Sequence, residues 1–99
     1  MKIIWTPEGA GDIIRLHAFL AAVDGDAAVK TVQMLQLAPE KLTTFPRIGE
    51  RFQTLMPREV RKLSVGKYEM RYEIIGNEIH ILKIFHGRED RSFEEVSVP

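Results

Sequence analysis

A chain of 99 residues has room for one domain and one modest core. Its 44% hydrophobic content argues against disorder, 14 basic residues offset by 14 acidic ones exclude a bulk cationic field, and the lack of cysteine excludes disulfides, thiolate nucleophiles and cysteine metal sites. The longest apolar runs, such as residues 19–23, fall far short of the roughly 20 that span a bilayer, and residues 1–5 lack a secretory pattern, so a soluble cytoplasmic domain without membrane contact is expected.

The neutral total hides a local bias. Residues 47–91 hold ten basic and seven acidic side chains, while residues 1–46 hold four and five. A normally solvated sheet surface explains an excess of this size better than a phosphate-binding one does.

Lys2–Trp5 is β-branched and aromatic and ends at Thr6-Pro7, so it reads as a strand. Thr6 can cap a helix whose first position is Pro7, with Glu8 and Asp12 placed favourably for its dipole. Ile13, Leu16, Leu20 and Val23 form the apolar stripe, thickened by Ile14 and Phe19. Asp24-Gly25-Asp26 breaks the chain, and Asp26 is the expected cap of a second helix carrying Ala28, Val32 and Leu35, with Val29 and Met34 alongside. Pro39 ends it, with a further turn over 41–45 before Pro46, and residues 46–57 read as loop.

Three strand-like runs follow, 60–65, 68–75 and 78–85, joined at Gly66-Lys67 and Gly76-Asn77, both hairpin-turn chemistry. In the middle run Tyr68, Met70, Tyr72 and Ile74 fall on one side and Glu69, Arg71 and Glu73 on the other, which predicts one packed and one solvated face. In the last run Leu82 and Ile84 are assigned to the core, leaving Ile81, Lys83 and Phe85 toward the open side. Trp5 and Phe45 are expected as core anchors. The predicted fold class is α+β: a two-helix antiparallel hairpin packed on one face of a small antiparallel β-sheet, in the order β-α-α-β-β-β. A single domain over 1–99, with a polar tail over 87–99, accounts for the whole chain.

The chemistry-bearing residues are sparse. Gly9 and Gly11 lack the third glycine of a phosphate loop. His17, His80 and His86 are too scattered for a metal site, so neither metal nor cofactor is expected. A metal-free ribonuclease needs a base, phosphate-binding cations and an acid, and Arg61, Lys62, His86, Arg88 and Arg91 supply that inventory, with Arg71 and Lys83 nearby. The interleaved Glu69, Glu73, Glu78, Glu89 and Asp90 favour solvated, balanced charges instead. A carboxylate pair at Glu69 and Glu73 is a weaker candidate still.

Three runs are more specific. Leu42-Thr43-Thr44-Phe45-Pro46-Arg47-Ile48-Gly49, then residues 60–74 from Val60-Arg61-Lys62 through Tyr68-Glu69-Met70-Arg71-Tyr72, then residues 79–90 from Ile79-His80 through Phe85-His86-Gly87-Arg88-Glu89-Asp90, together resemble the ParE branch of the RelE/ParE toxin superfamily, from Ile3 to about Arg91. That resemblance implies two helices on a small sheet, in agreement with the periodicity. It also implies a choice of mechanism. RelE-type members cut messenger RNA on the ribosome, commonly with an arginine after the first aromatic of the Tyr-x-x-x-Tyr strand. Here that position is Glu69, and the expected tail arginine and tyrosine fall at Glu89 and near Glu95, although Lys62 matches a basic position. A carboxylate reverses the sign of the interaction a phosphate transition state requires.

The resemblance therefore implies a type II toxin of ParE kind, tied to plasmid stabilisation. It would act by binding DNA gyrase rather than by catalysis, be neutralised by a ParD-like antitoxin, and make no sequence-specific nucleic-acid contact. The alternatives are a RelE-like ribosome-dependent endoribonuclease built on Arg61, Lys62, His86, Arg88 and Arg91, or a non-toxic antitoxin-binding module. The candidate partner patch is Arg71, Ile81, Lys83 and Phe85.

Overall fold

The computed structural model describes residues 1–87, so Arg88, Arg91 and the remainder of the expected tail lie outside the described residues. The elements are β1 Lys2–Trp5, α1 Pro7–Ala21, α2 Gly25–Leu37, α3 Glu40–Thr44, β2 Glu50–Arg51, a 3-10 turn Gln53–Leu55, β3 Glu59–Val65, β4 Tyr68–Ile75 and β5 Glu78–His86. The strands form one sheet in the order β1-β5-β4-β3-β2. β3, β4 and β5 make the expected antiparallel meander, and β1 joins parallel to β5, with Lys2 opposite Glu78 and Trp5 opposite Ile81. A parallel pair needs a long crossover, which the helices and the other strands supply. The α+β class stands, extended by this parallel edge and by β2, whose two residues are too few for alternation to reveal within a stretch that reads as loop.

Local signals explain most boundaries. The Thr6 hydroxyl oxygen accepts the Gly9 N–H at 3.1 Å, and Pro7 opens α1. α2 is capped by Asp24, which accepts the Ala27 N–H at 3.1 Å, and not by Asp26, which falls inside the first turn. Gly66 and Gly76 both take φ of +58°, a region open to glycine, and no other residue type in the described chain has positive φ. Glycine at the first central position alone is the pattern of a type II′ hairpin turn, whose twist suits the flanking strands.

Tyr68, Met70, Tyr72 and Ile74 of β4 pack with Leu63, Val65, Ile79, Ile81 and Ile84 against Ile13, Leu16, Leu35 and Leu42 from the helices. Here the structure corrects the reading of β5. Tyr72 pairs with Ile81 but Arg71 pairs with Lys83, so Leu82 is an extra residue and the pairing shifts. The bulge reverses the alternation. Ile81 is therefore fully buried among core residues rather than on the open face, while Lys83 and Phe85 stay on the outer side.

Because β1 ends at Trp5, β5 beyond Ile81 borders α1 instead of a strand. The Thr6 N–H and hydroxyl both donate to the Ile81 carbonyl, at 3.2 and 2.6 Å. Asp12 Oδ2 accepts the Ile84 N–H at 2.8 Å, and the Arg15 guanidinium donates to the Ile84 carbonyl at 3.4 Å. Thr6 at the helix cap and Asp12 and Arg15 on α1 thus satisfy β5 backbone groups that the end of β1 leaves without a ladder partner. Three apolar expectations fail. Ile14 and Phe19 lie off the Ile13–Leu16 stripe and are both exposed, Val23 falls beyond the end of α1 and is exposed, and Phe45 is 61% exposed, whereas Trp5 does pack partly buried against the core.

The helix–sheet contact is close at Gly9, where an added Cβ would stand 2.5 Å from the Ile81 carbonyl oxygen, while one at Gly11 would meet nothing within 4 Å. Gly9→Ala is expected to destabilise by about 1–3 kcal/mol through this overpacking, and Gly11→Ala to stabilise by about 0.5–1 kcal/mol through helix propensity and reduced unfolded-state entropy. Urea midpoints moving in opposite directions would confirm the pair of assignments.

Candidate functional site

The sheet face away from the helices carries the charged half of the β4 alternation, but it is not a solvated surface. Arg71 is only 5% exposed and Glu73 is also buried, with Val60 and Phe85. The cover comes from the stretch read as loop. β2 pairs with β3, and the Phe52 N–H donates to the Val60 carbonyl at 2.9 Å, bringing the Phe52 ring over the sheet. The Arg71 guanidinium sits between Phe52 and Phe85, 4.8 Å from each ring centroid, and its Nε donates to Glu69 Oε2 at 3.1 Å. The Lys62 ammonium lies 5.7 Å from the Phe52 ring and the Lys83 ammonium 5.6 Å from the Phe85 ring. Five side chains therefore alternate cation and ring across three strands. Such contacts are worth about 0.5–1 kcal/mol when exposed and ~2 when desolvated.

Of the partner-patch candidates, this array unites Arg71, Lys83 and Phe85 and leaves out Ile81, which the bulge turns into the core. Lys83 also lies 3.6 Å from Glu8. Beside the array Arg58 grips Glu73 with two hydrogen bonds of 2.9 and 3.0 Å. That bond raises the Arg58 pKa against the opposing effect of burial.

The cations of the ribonuclease alternative are dispersed. Arg61, opposite Tyr72, faces the helices, Lys62 faces outward beside Glu50, and His86, opposite Tyr68, stacks edge-on against that ring at 5.3 Å. Tyr72 and Tyr68 are four residues apart on β4, so Arg61 and His86 are separated by about 13 Å along the strand direction alone. Arg88 and Arg91 lie outside the described residues. The Arg47, Arg58, Arg61 and Arg71 guanidiniums each have a carboxylate within 3.1 Å. Among the described residues no group of three or more His, Cys, Asp or Glu is placed to hold a metal ion.

A second feature has no counterpart in the sequence reading. Residues 45–49 cross the helix side of β3 and β4 and are pinned from beneath. The buried Tyr72 hydroxyl donates to the Pro46 carbonyl at 2.8 Å and accepts the Gly49 N–H at 3.0 Å. The Arg61 Nη1 donates to the Gly49 carbonyl at 2.7 Å and the Arg47 carbonyl at 3.3 Å. Gly49 is required by close approach, since a Cβ there would stand 2.6 Å from both the Tyr72 hydroxyl oxygen and the Lys62 carbonyl oxygen. Glu59 accepts from Arg47 at 2.8 and 3.0 Å and from Arg61 at 2.9 Å. Burial alone would push the Glu59 carboxyl up, but the hydrogen bonds and charges of Arg47 and Arg61 outweigh it and hold the group below its ordinary 4.5. Burial likewise pushes the Tyr72 phenol above 10.0. The run Phe45-Pro46-Arg47-Ile48-Gly49 carried part of the family resemblance, yet only the folded chain shows what holds it.

Two outcomes follow from this pinning. Tyr72→Phe leaves the buried Gly49 N–H and the partly buried Pro46 carbonyl without their partner and should cost about 1–3 kcal/mol in urea unfolding. Because the folded pKa of Glu59 is depressed, its contribution is present above 4.5 and is lost as pH falls through the lowered value. Glu59→Gln should therefore be less stable than the wild type at neutral pH, with the gap narrowing below 4.5 in acid titrations of the unfolding midpoint.

Over residues 3–91 the chain matches the family described as ParE toxin of type II toxin-antitoxin system, parDE. It is 31% identical over 84 residues to Toxin RelE1 of Caulobacter vibrioides, a match covering 81% of this chain and 86% of that protein. Among solved structures it is similar to a chain described as a chromosomal ParDE TA system from P. aeruginosa, with a TM-score of 0.74 and 25% identity over 87% of this chain and 95% of that one. The sequence resemblance, the strand order and the extent of these matches agree, and the chain belongs to the ParE family of toxins from type II toxin–antitoxin systems.

Proposed function

We propose that this toxin acts by binding DNA gyrase in the cytoplasm and is neutralised by a ParD-like antitoxin. The observation that carries the mechanism is the placement of Glu69. Its carboxylate stands where an RNA-cutting relative carries a phosphate-facing arginine, and it accepts from Arg71 within the buried aromatic stack. Cations engaged in this way stabilise the fold and are poorly placed to stabilise a pentacoordinate phosphate. The antitoxin reading is supported by the parDE family and by the ParDE neighbour, and the exposed Ile14 and Phe19 of α1 offer apolar area to a tail that folds on binding.

A second reading, ribosome-dependent messenger RNA cleavage, is favoured by the printed name of the Caulobacter relative, Toxin RelE1. One preparation separates the two. Purified protein should inhibit gyrase supercoiling and trap cleaved DNA, and its expression should induce a DNA-damage response. Unaffected gyrase together with messenger RNA cut at ribosomal A sites would transfer the protein to the second reading. Harmless expression without the antitoxin would identify a non-toxic binding module.

A further inference from the structure

We propose that the corner formed by Phe45, Ile48, Arg47 and Arg51 is the surface through which the toxin engages a folded target protein, one offering an apolar pocket flanked by carboxylates. The inference rests on the chain acting as a toxin against a protein, as read above, and adds where that contact lies and what chemistry it selects.

Three observations converge on this corner. Phe45 and Ile48 are 61% and 55% exposed, and with Thr44, Pro46 and Arg47 they line a shallow groove. Large apolar side chains so exposed on a floppy loop would be poor anchors, but four hydrogen bonds between its backbone and Tyr72 and Arg61 hold it in place. An anchor held in place before binding loses little conformational entropy on docking, which is how a small contact contributes strongly to affinity.

The charge around the corner is the second observation. Glu59 is shared between Arg47 and Arg61, and Arg51 lies opposite Arg61 on the same face of the sheet. Two guanidiniums thus share one carboxylate and a third stands across the strand pair, an excess that attracts acidic side chains. The third observation is the Nε of Arg51, which is buried and has no hydrogen-bond partner among the described residues. A buried donor left unpaired is costly, and an incoming carboxylate that drew the guanidinium toward it would relieve that cost.

The same features select the class of partner. Two exposed apolar anchors, of which the aliphatic Ile48 cannot stack on a base, favour a protein over a nucleic acid. A disordered antitoxin tail gains from long surfaces along which it can fold, whereas a short, rigidly held apolar patch suits a preformed partner surface.

Growth arrest measured in the absence of antitoxin tests the assignment. The double variant Phe45→Ser/Ile48→Ser should require about tenfold or more inducer to arrest growth, as expected for loss of an interface anchor. Arg51→Gln should be attenuated as well. Val23→Ser, in the α1–α2 turn and 86% exposed, should arrest growth like the wild type. All purified variants should keep the wild-type urea midpoint. The proposal is overturned by a double variant as toxic as the wild type, by a Val23 variant equally attenuated, by a harmless wild type, or by wild-type binding to a short single-stranded RNA that Arg51→Gln abolishes. A wild type that arrests growth without affecting gyrase supercoiling overturns the gyrase reading alone, and the comparison of variants still decides this one.

Discussion

The bulge at Leu82 is the constraint on which the rest of the architecture depends. One extra residue in β5 lets Ile81 and Ile84 both face the helices and lets Lys83 and Phe85 both face outward. Along the same stretch β1 ends opposite Ile81, so the backbone groups on that edge of β5 must find other partners. α1 supplies them through Thr6, Asp12 and Arg15, and Gly9 allows the helix to approach the Ile81 carbonyl closely enough for these bonds to form. Helix position, core composition and the chemistry of the outer face are therefore coupled at one short stretch of backbone.

On the outer face the polar half of an alternating strand is buried without a hydrophobic substitute. Arg71 is desolvated, but its planar guanidinium meets two aromatic faces and a carboxylate at once, and Glu73 is matched by a two-pronged arginine. Lysine could not reproduce this arrangement, because a compact ammonium offers neither the flat faces nor the fork. Removing one member of such a set exposes the others to an uncompensated burial, so the array is cooperative even where each contact is modest.

The pinned segment over 45–49 shows a complementary logic. A buried tyrosine and a partly buried arginine direct their polar atoms at loop backbone and leave the loop's apolar side chains in solvent. A surface held in place before a partner arrives loses little conformational freedom on contact. Arg47, Arg58, Arg61 and Arg71 are matched to carboxylates, and Arg61 also to the loop carbonyls it holds in place.

Periodicity and turn chemistry alone determined the helical hairpin, the meander, the capping role of Thr6 and the inward set of β4, since each is encoded within a few neighbouring residues. The family was also legible, from three ordered runs, as was the joint placement of Arg71, Lys83 and Phe85. Only the tertiary structure decided the inward turn of Ile81, the parallel pairing of β1, the cover of Arg71 by Phe52 and the outward display of Phe45. Each of these depends on a partner distant in sequence. A bulge reverses side-chain parity without any compositional mark, and a two-residue strand is too short to show a period. Whether a charge or an aromatic ring is buried is set by what the fold brings against it, and for Arg71, Phe52 and Phe45 that neighbour lies on another element.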